Sequence, residues 1–217
     1  MEPEGYGHRE PDAHRPPVQR GSPGTPGLER SGGLQIPTRV ERLDHAGPFD
    51  DPVGVLTSDQ GDMQGGRGLW YKMSFYEGSA RVPLIVCSPS RFPAARVATP
   101  VSTMDLLPTL VAIAQSGDVS NVVQPLDGES LLPLLKGEQV DRDTVSAEYL
   151  AEGAVAPMVM LRRKDVKLIH SPADPDQLFD LSSDPLERRN LVEEPAYADV
   201  LARLGGEGAT GGALPLT

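Results

Sequence analysis

Asp59, Gln60, Asp62 and Lys72 are the side chains best suited to act on a charged substrate, and they fall within one stretch, Asp50–Val86. A carboxylate can hold a cation or move a proton, and an ammonium can neutralise an anion. Asp59 and Asp62 follow a short apolar run, Val53–Thr57, in a loop that Gly61, Gly65, Gly66 and Gly68 make permissive. Asp-Gly is also ordinary turn chemistry, so residue types alone leave site and turn equally open. Lys72 lies among Trp70, Tyr71, Phe75 and Tyr76. A cation amid packed rings either snorkels to water or is held for an anionic group. Glu77 and Arg81 have the i, i+4 spacing of a plain structural ion pair. Asp50-Asp51 precedes the apolar run, at the end away from Asp59, and reads as a turn into the strand.

The elements that must position these groups follow from pattern. Val53–Thr57 reads as a buried strand of the parallel type, and Val82–Val86 closes the unit as a second. Strand, acidic loop, strand places a carboxylate at the carboxyl end of a strand, where open α/β sheets build their sites. Thr103–Ala114 has helical apolar spacing, with Ser102 or Thr103 as N-cap and Pro108 in the first turns. Asp127–Gly137 reads as a shorter helix ended by Gly137. Val145–Leu150 is another strand, carrying Glu148. From about Ala151 the pattern changes to three short strands, Met158–Arg162, Val166–Ser171 and Gln177–Leu181, joined by turn residues as an antiparallel meander. A last helix spans Tyr197–Leu204.

Composition narrows the classes. The formal charge of −11 and sequence pI near 4.8 argue against nucleic acid or an anionic membrane surface as partner. No apolar stretch is long enough to span a membrane. The single cysteine, Cys87, permits no intramolecular disulfide and no cysteine-based zinc cluster, and a reducing, cytoplasmic setting is expected. Residues 1–49 hold eight prolines and eight glycines without apolar periodicity, and read as a disordered leader. His8, His14 and His45 in it match no ligand spacing. Gly205–Thr217 reads as a frayed tail. The expected organisation is therefore leader 1–49, an α/β region 50–150, an antiparallel subdomain 151–204 and tail 205–217.

In series, SDQGD, GLWYKMSFYEGSARVPLIV, STMDLLPTL and DQLFDLSSDPLERRNL resemble the sulfatases of the alkaline-phosphatase superfamily, most closely the choline-sulfatases. The resemblance covers about Asp50 to Leu204 and corresponds to the carboxyl-terminal part of such an enzyme. It implies an α/β fold: a partial alkaline-phosphatase/sulfatase-like sheet with flanking helices, plus a small antiparallel C-terminal subdomain. It implies hydrolysis of a small sulfate ester similar to choline sulfate, with a divalent cation, usually calcium, beside a formylglycine nucleophile. Asp59 matches a metal ligand. Gln60 stands where relatives carry Asn or His; its amide oxygen could bind a hard cation but supplies no imidazole. Lys72 matches the lysine that contacts the sulfate and the leaving oxygen. Glu148, in SAEYLAEG, is the candidate for holding the quaternary ammonium, with a surface glutamate as the plain alternative.

The family's formylglycine signature, first aspartate pair and site histidines have no match in residues 1–49, so the chain alone is expected to show little or no activity. Cys87-Ser88-Pro89-Ser90-Arg91 has the C-x-P-x-R pattern that marks the nucleophile. It follows the second strand rather than opening a sulfate-binding helix, so we read it as coincidence and Cys87 as a small buried apolar residue. Alternatives are a phosphomonoesterase or phosphodiesterase of the same superfamily and a non-catalytic truncated remnant. A homo-oligomer stays open, although Gly205–Thr217 lacks the aromatic residue through which choline-sulfatases assemble.

Overall fold

The structure, a computed structural model, describes residues 52–115, 125–150 and 153–210, with side chains as far as Gly206. The expected leader and residues 211–217 lie outside the described residues.

Two sheets organise the chain. Strand β1 (Gly54–Thr57) pairs with β2 (Leu84–Cys87), and the four strands β3 (Thr144–Tyr149), β4 (Met158–Arg163), β5 (Val166–Ser171) and β6 (Asp174–Asp180) pair in sequence order. Mixed helices and strands with an antiparallel C-terminal sheet match the expected fold class. The first ribbon differs from expectation in direction. β1 and β2 run antiparallel, Gly54 opposite Cys87 and Thr57 opposite Leu84. A parallel pair needs a crossover that covers a sheet face. Here the connection returns the chain the opposite way. Nor is the ribbon deeply buried: Val55 and Ile85 are exposed.

The connection is held by backbone bonds. Gly61 N donates to Ser79 O at 2.7 Å and Met63 N to Tyr71 O at 3.3 Å. A short helix, α1 (Glu77–Ala80), leads into β2. Helix α2 (Leu106–Ala114) follows a 3-10 turn at Thr103–Asp105, whose N-cap is Ser102. Asp105 completes a capping box, accepting from Ser102 N at 2.7 Å. The carboxylate also accepts from Glu129 N at 2.9 Å and pairs with Arg142 at 2.8 Å. One buried aspartate thus pins the segment leading to α3 (Leu132–Leu135), which is far shorter than the expected Asp127–Gly137.

Two of the meander's three predicted strands lie where expected, and the third starts earlier. Lys164-Asp165 turns β4 into β5, with Lys164 in the left-handed region at φ 52°. β6 begins at Asp174 rather than Gln177 and includes Pro175. An edge strand tolerates this, because the missing N–H faces no partner. The Val145–Leu150 strand, expected with the first region, joins this sheet as β3, antiparallel to β4 from Thr144↔Arg163 to Tyr149↔Met158.

Alternation then divides the sheet's faces. Val159, Leu161, Leu168 and Leu178 pack with Leu191 and Leu204 under α4 (Ala198–Thr210). Met160, Ile169 and Phe179 face the other way and pack against Phe75, Tyr76, Ala147 and Tyr149. Phe179 is fully enclosed, a burial worth about 1.5–3 kcal/mol. Helix α4 runs six residues past the expected end, carrying Gly205 and Gly206 within it.

Candidate functional site

Phe75 carries the site segment onto the C-terminal sheet. Beside it, Lys167 enters the same face from β5 and is 1% exposed. Its ammonium donates to Phe75 O at 2.7 Å and to Glu77 Oε1 at 2.9 Å, and pairs with Glu187. Glu187, itself buried, accepts from Glu77 N at 2.6 Å. Arg162 stands 3.6 Å from Glu77 and Arg81 stands 3.8 Å away. The expected Glu77–Arg81 pair is therefore present as the outer, longer contact of a network centred on Lys167. Burying these charges is tolerable because each meets an opposite charge or a carbonyl.

Arg67 makes the second attachment. Its backbone is left-handed at φ 53°, and its guanidinium lies 4.4 Å above the Tyr76 ring and 5.7 Å from Phe179. It donates to the Glu187 carbonyl, and the Tyr76 hydroxyl donates to Gln177 at 2.6 Å. A cavity of about 480 Å³ opens among Arg67, Leu69, Tyr76 and Arg188.

The sequence-predicted residues sit on this scaffold as follows. Asp59 is exposed; its Oδ1 accepts from Gln60 N at 2.9 Å and from Ser58 Oγ at 3.3 Å. Gln60 is half-buried. Lys72 is exposed, beside Tyr71, whose carbonyl receives the Met63 N–H. The same lacing that joins Gly61 to Ser79 thus holds the Asp59–Gln60 loop against the segment carrying Lys72. Of the neighbouring rings, Trp70 and Tyr71 are exposed, Tyr76 is half-buried and Phe75 is buried, so Lys72 itself lies open to water. Glu148 is exposed and lies opposite Val159. That puts it on the α4 side of β3, whereas Ala147 and Tyr149 face Phe75 and Tyr76. Strand alternation therefore does not direct Glu148 toward the Lys72 segment.

Cys87 requires a correction. It is exposed rather than buried, on the outward side of a strand whose alternate residues, Leu84 and Val86, are half-buried. Its register partner is Gly54, so it lies at the end of the ribbon opposite Asp59. Three strand steps separate those levels, roughly 10 Å before the two further residues to Asp59. This distance supports reading the C-x-P-x-R pattern as coincidence.

Sequence reasoning missed Arg67, Lys167, Glu187 and Arg188. One signal was available for Lys167: a lysine in the apolar run Val166–Ile169 demands a buried partner. Nothing local marks the others: Arg67 bonds to the Glu187 carbonyl 120 positions away, and Glu187 takes the Glu77 N–H from 110 positions away.

Comparison fixes the family: residues 65–207 match N-sulphoglucosamine sulphohydrolase, C-terminal, and the chain belongs to this family of sulfatases. It is 44% identical to the choline-sulfatase of Rhizobium meliloti (strain 1021) over 158 residues, covering 72% of this chain and 30% of that protein. It is 34% identical to arylsulfatase K of Xenopus laevis over 166 residues, covering 70% and 30%. Among solved structures, the phosphonate monoester hydrolase of Agrobacterium radiobacter superposes with a TM-score of 0.68 at 27% identity, covering 82% of this chain and 38% of that one. A protein solved with its substrate D-glucosamine-2-N,6-O-disulfate gives 0.64 at 29%, covering 78% and 35%. The chain spans about 30% of the length of these curated relatives.

Proposed function

We propose that the protein supplies the C-terminal part of a sulfuric-ester hydrolase for a small choline-sulfate-like ester. The observation that carries this is the 44% identity to a choline-sulfatase over 72% of the chain. Asp59 and Gln60 offer adjacent hard oxygen donors on the laced loop, a donor chemistry that fits a divalent cation such as calcium. Among the described residues no group of three or more His, Cys, Asp or Glu gathers to hold a metal, so these two donors are a partial shell. When bound, the cation would neutralise sulfate oxygens. Lys72, exposed on the adjoining segment, supplies a point charge for the ester sulfate and its leaving oxygen. Glu148 is proposed to meet the quaternary ammonium by reaching around β3, the edge strand of its sheet, since its strand position faces the α4 side. The lone cysteine supports a reducing, cytoplasmic setting.

Calorimetric titration with calcium tests the metal assignment. Saturable binding that Asp59→Ala abolishes and Gln60→Ala weakens is expected; no binding, or an Asp59→Ala titration like wild type, favours a non-catalytic remnant. Choline sulfate binding should weaken in Lys72→Ala and in Glu148→Gln, and an unchanged Glu148→Gln removes that residue from the site.

A second reading is favoured by the phosphonate monoester hydrolase likeness. The same cation and lysine would serve a phosphorus ester. Rates on matched aryl sulfate and aryl phosphonate esters separate the two, and faster phosphonate turnover would reverse the order proposed.

A further inference from the structure

The cavity among Arg67, Leu69, Tyr76 and Arg188 has no part in the assignments above. Its two charged lining residues are both arginines, and none of the four is acidic. That is unexpected in a chain with 31 acidic and 20 basic residues. Arg67 contributes one donor to the Glu187 carbonyl and lays its plane on Tyr76. A guanidinium carries five N–H donors, so most of its fork remains available. Arg188 makes no hydrogen bond or ion pair among the described residues. The nearby carboxylates of Glu187 and Glu77 are already engaged by Lys167.

Two guanidinium groups line the same depression, and their planar donors match an oxyanion in bidentate fashion. Leu69 and the Tyr76 ring add apolar surface to this open depression, in which Arg67, Leu69 and Arg188 are themselves exposed. The cavity is lined from both sides of Lys72 in sequence, by Leu69 and Tyr76.

We propose that this cavity is a second oxyanion subsite, separate from the ester sulfate assigned to Lys72, and that it takes a sulfate-class group. The inference rests on the sulfatase reading for the choice of sulfate. The group comes either as free inorganic sulfate or as a second sulfate on a ring whose apolar face lies on Leu69 and Tyr76. The subsite would favour esters bearing another anionic group and would repel a quaternary ammonium placed there.

The test titrates the full chain with sodium sulfate, and separately with glucosamine N,6-disulfate, against chloride at matched ionic strength. Backbone amide shifts are followed by NMR. Saturation by inorganic sulfate, with shifts at Leu69 and Tyr76, assigns the free ion; saturation by the disulfate alone assigns a ring substituent. Arg188→Gln, an exposed change that leaves the fold's contacts intact, should weaken binding about tenfold, the loss expected for one charge-assisted contact. Lys72→Ala should leave these shifts in place, so a failed ester-sulfate assignment does not remove them. No saturation by either probe, an Arg188→Gln titration equal to wild type, or loss of the shifts in Lys72→Ala overturns the proposal.

Discussion

Lys167 shows most directly what a single residue contributes. Its ammonium is the shared partner of Phe75 O, Glu77 and Glu187 inside a nearly closed space. Lys167→Met removes the cation and leaves two carboxylates facing each other out of water, a loss of about 3–5 kcal/mol for breaking a buried pair. Urea denaturation should show that fall, and adding Glu187→Gln to the same chain should recover part of it. An equal or greater loss in the double variant would mean that Glu187 is stabilised by something other than this lysine.

Asp180 carries a pH dependence of known sign. Hydrogen bonds from Ser182, at 2.6 Å from the hydroxyl and 3.0 Å from the backbone N–H, hold its carboxyl below the ordinary carboxylate range, with Tyr197 adding a third donor at 3.1 Å. A depressed native pKa means that the unfolded state binds the proton first. The stability contributed is therefore present above the ordinary aspartate value, roughly 3.9, and disappears as pH falls through the lowered native one. Asp180→Asn should differ from wild type in urea midpoint at pH 6, with the gap closing toward pH 3. A gap that is constant across this range would remove the ionised carboxylate as its cause. The same bond raises the Tyr197 phenol, so its contribution is present below about pH 10 and is lost as pH climbs through the raised value.

Between elements, the decisive contact is the approach of the Asp59–Met63 loop to α1. A Cβ placed on Gly61 would overlap the Gly78 carbonyl oxygen. Glycine is required there by closeness rather than by backbone dihedral. Gly61→Ala should push the loop off Ser79 O, costing about 1–3 kcal/mol by overpacking. It should also lower calcium affinity, since the donors at Asp59 and Gln60 lie on the displaced side. A Gly61→Ala chain with unchanged thermal midpoint and unchanged calcium titration would show that the lacing does not position the loop.

Over the whole molecule, stability should be uneven. The β3–β6 sheet is covered by α4 on one face and by Phe75 and Tyr76 on the other, whereas the β1–β2 ribbon exposes Val55 and Ile85. Local opening follows local burial. Hydrogen exchange should therefore be slowest at Leu168 and Leu178 and markedly faster at Leu56 and Val86. Equal protection would mean that the ribbon is buttressed as firmly as the meander.

The sequence by itself determined whatever depends on near neighbours. Short runs with turn residues Arg163-Lys164-Asp165 between them located β4 and β5, Ser102 or Thr103 as N-cap marked the start of the α2 region, and ordered motifs identified the sulfatase family. Tertiary structure decided what depends on distant groups. Strand direction at β1 was invisible because an apolar run of this length reads alike in parallel and antiparallel pairs. The enclosure of Lys167 by Glu77 and Glu187 was invisible as well, because a charge is stable inside only when partners about ninety and twenty residues away converge on it. The arginine-lined cavity has the same origin: Arg67 and Arg188 become neighbours only once Phe75 has seated its segment on the meander.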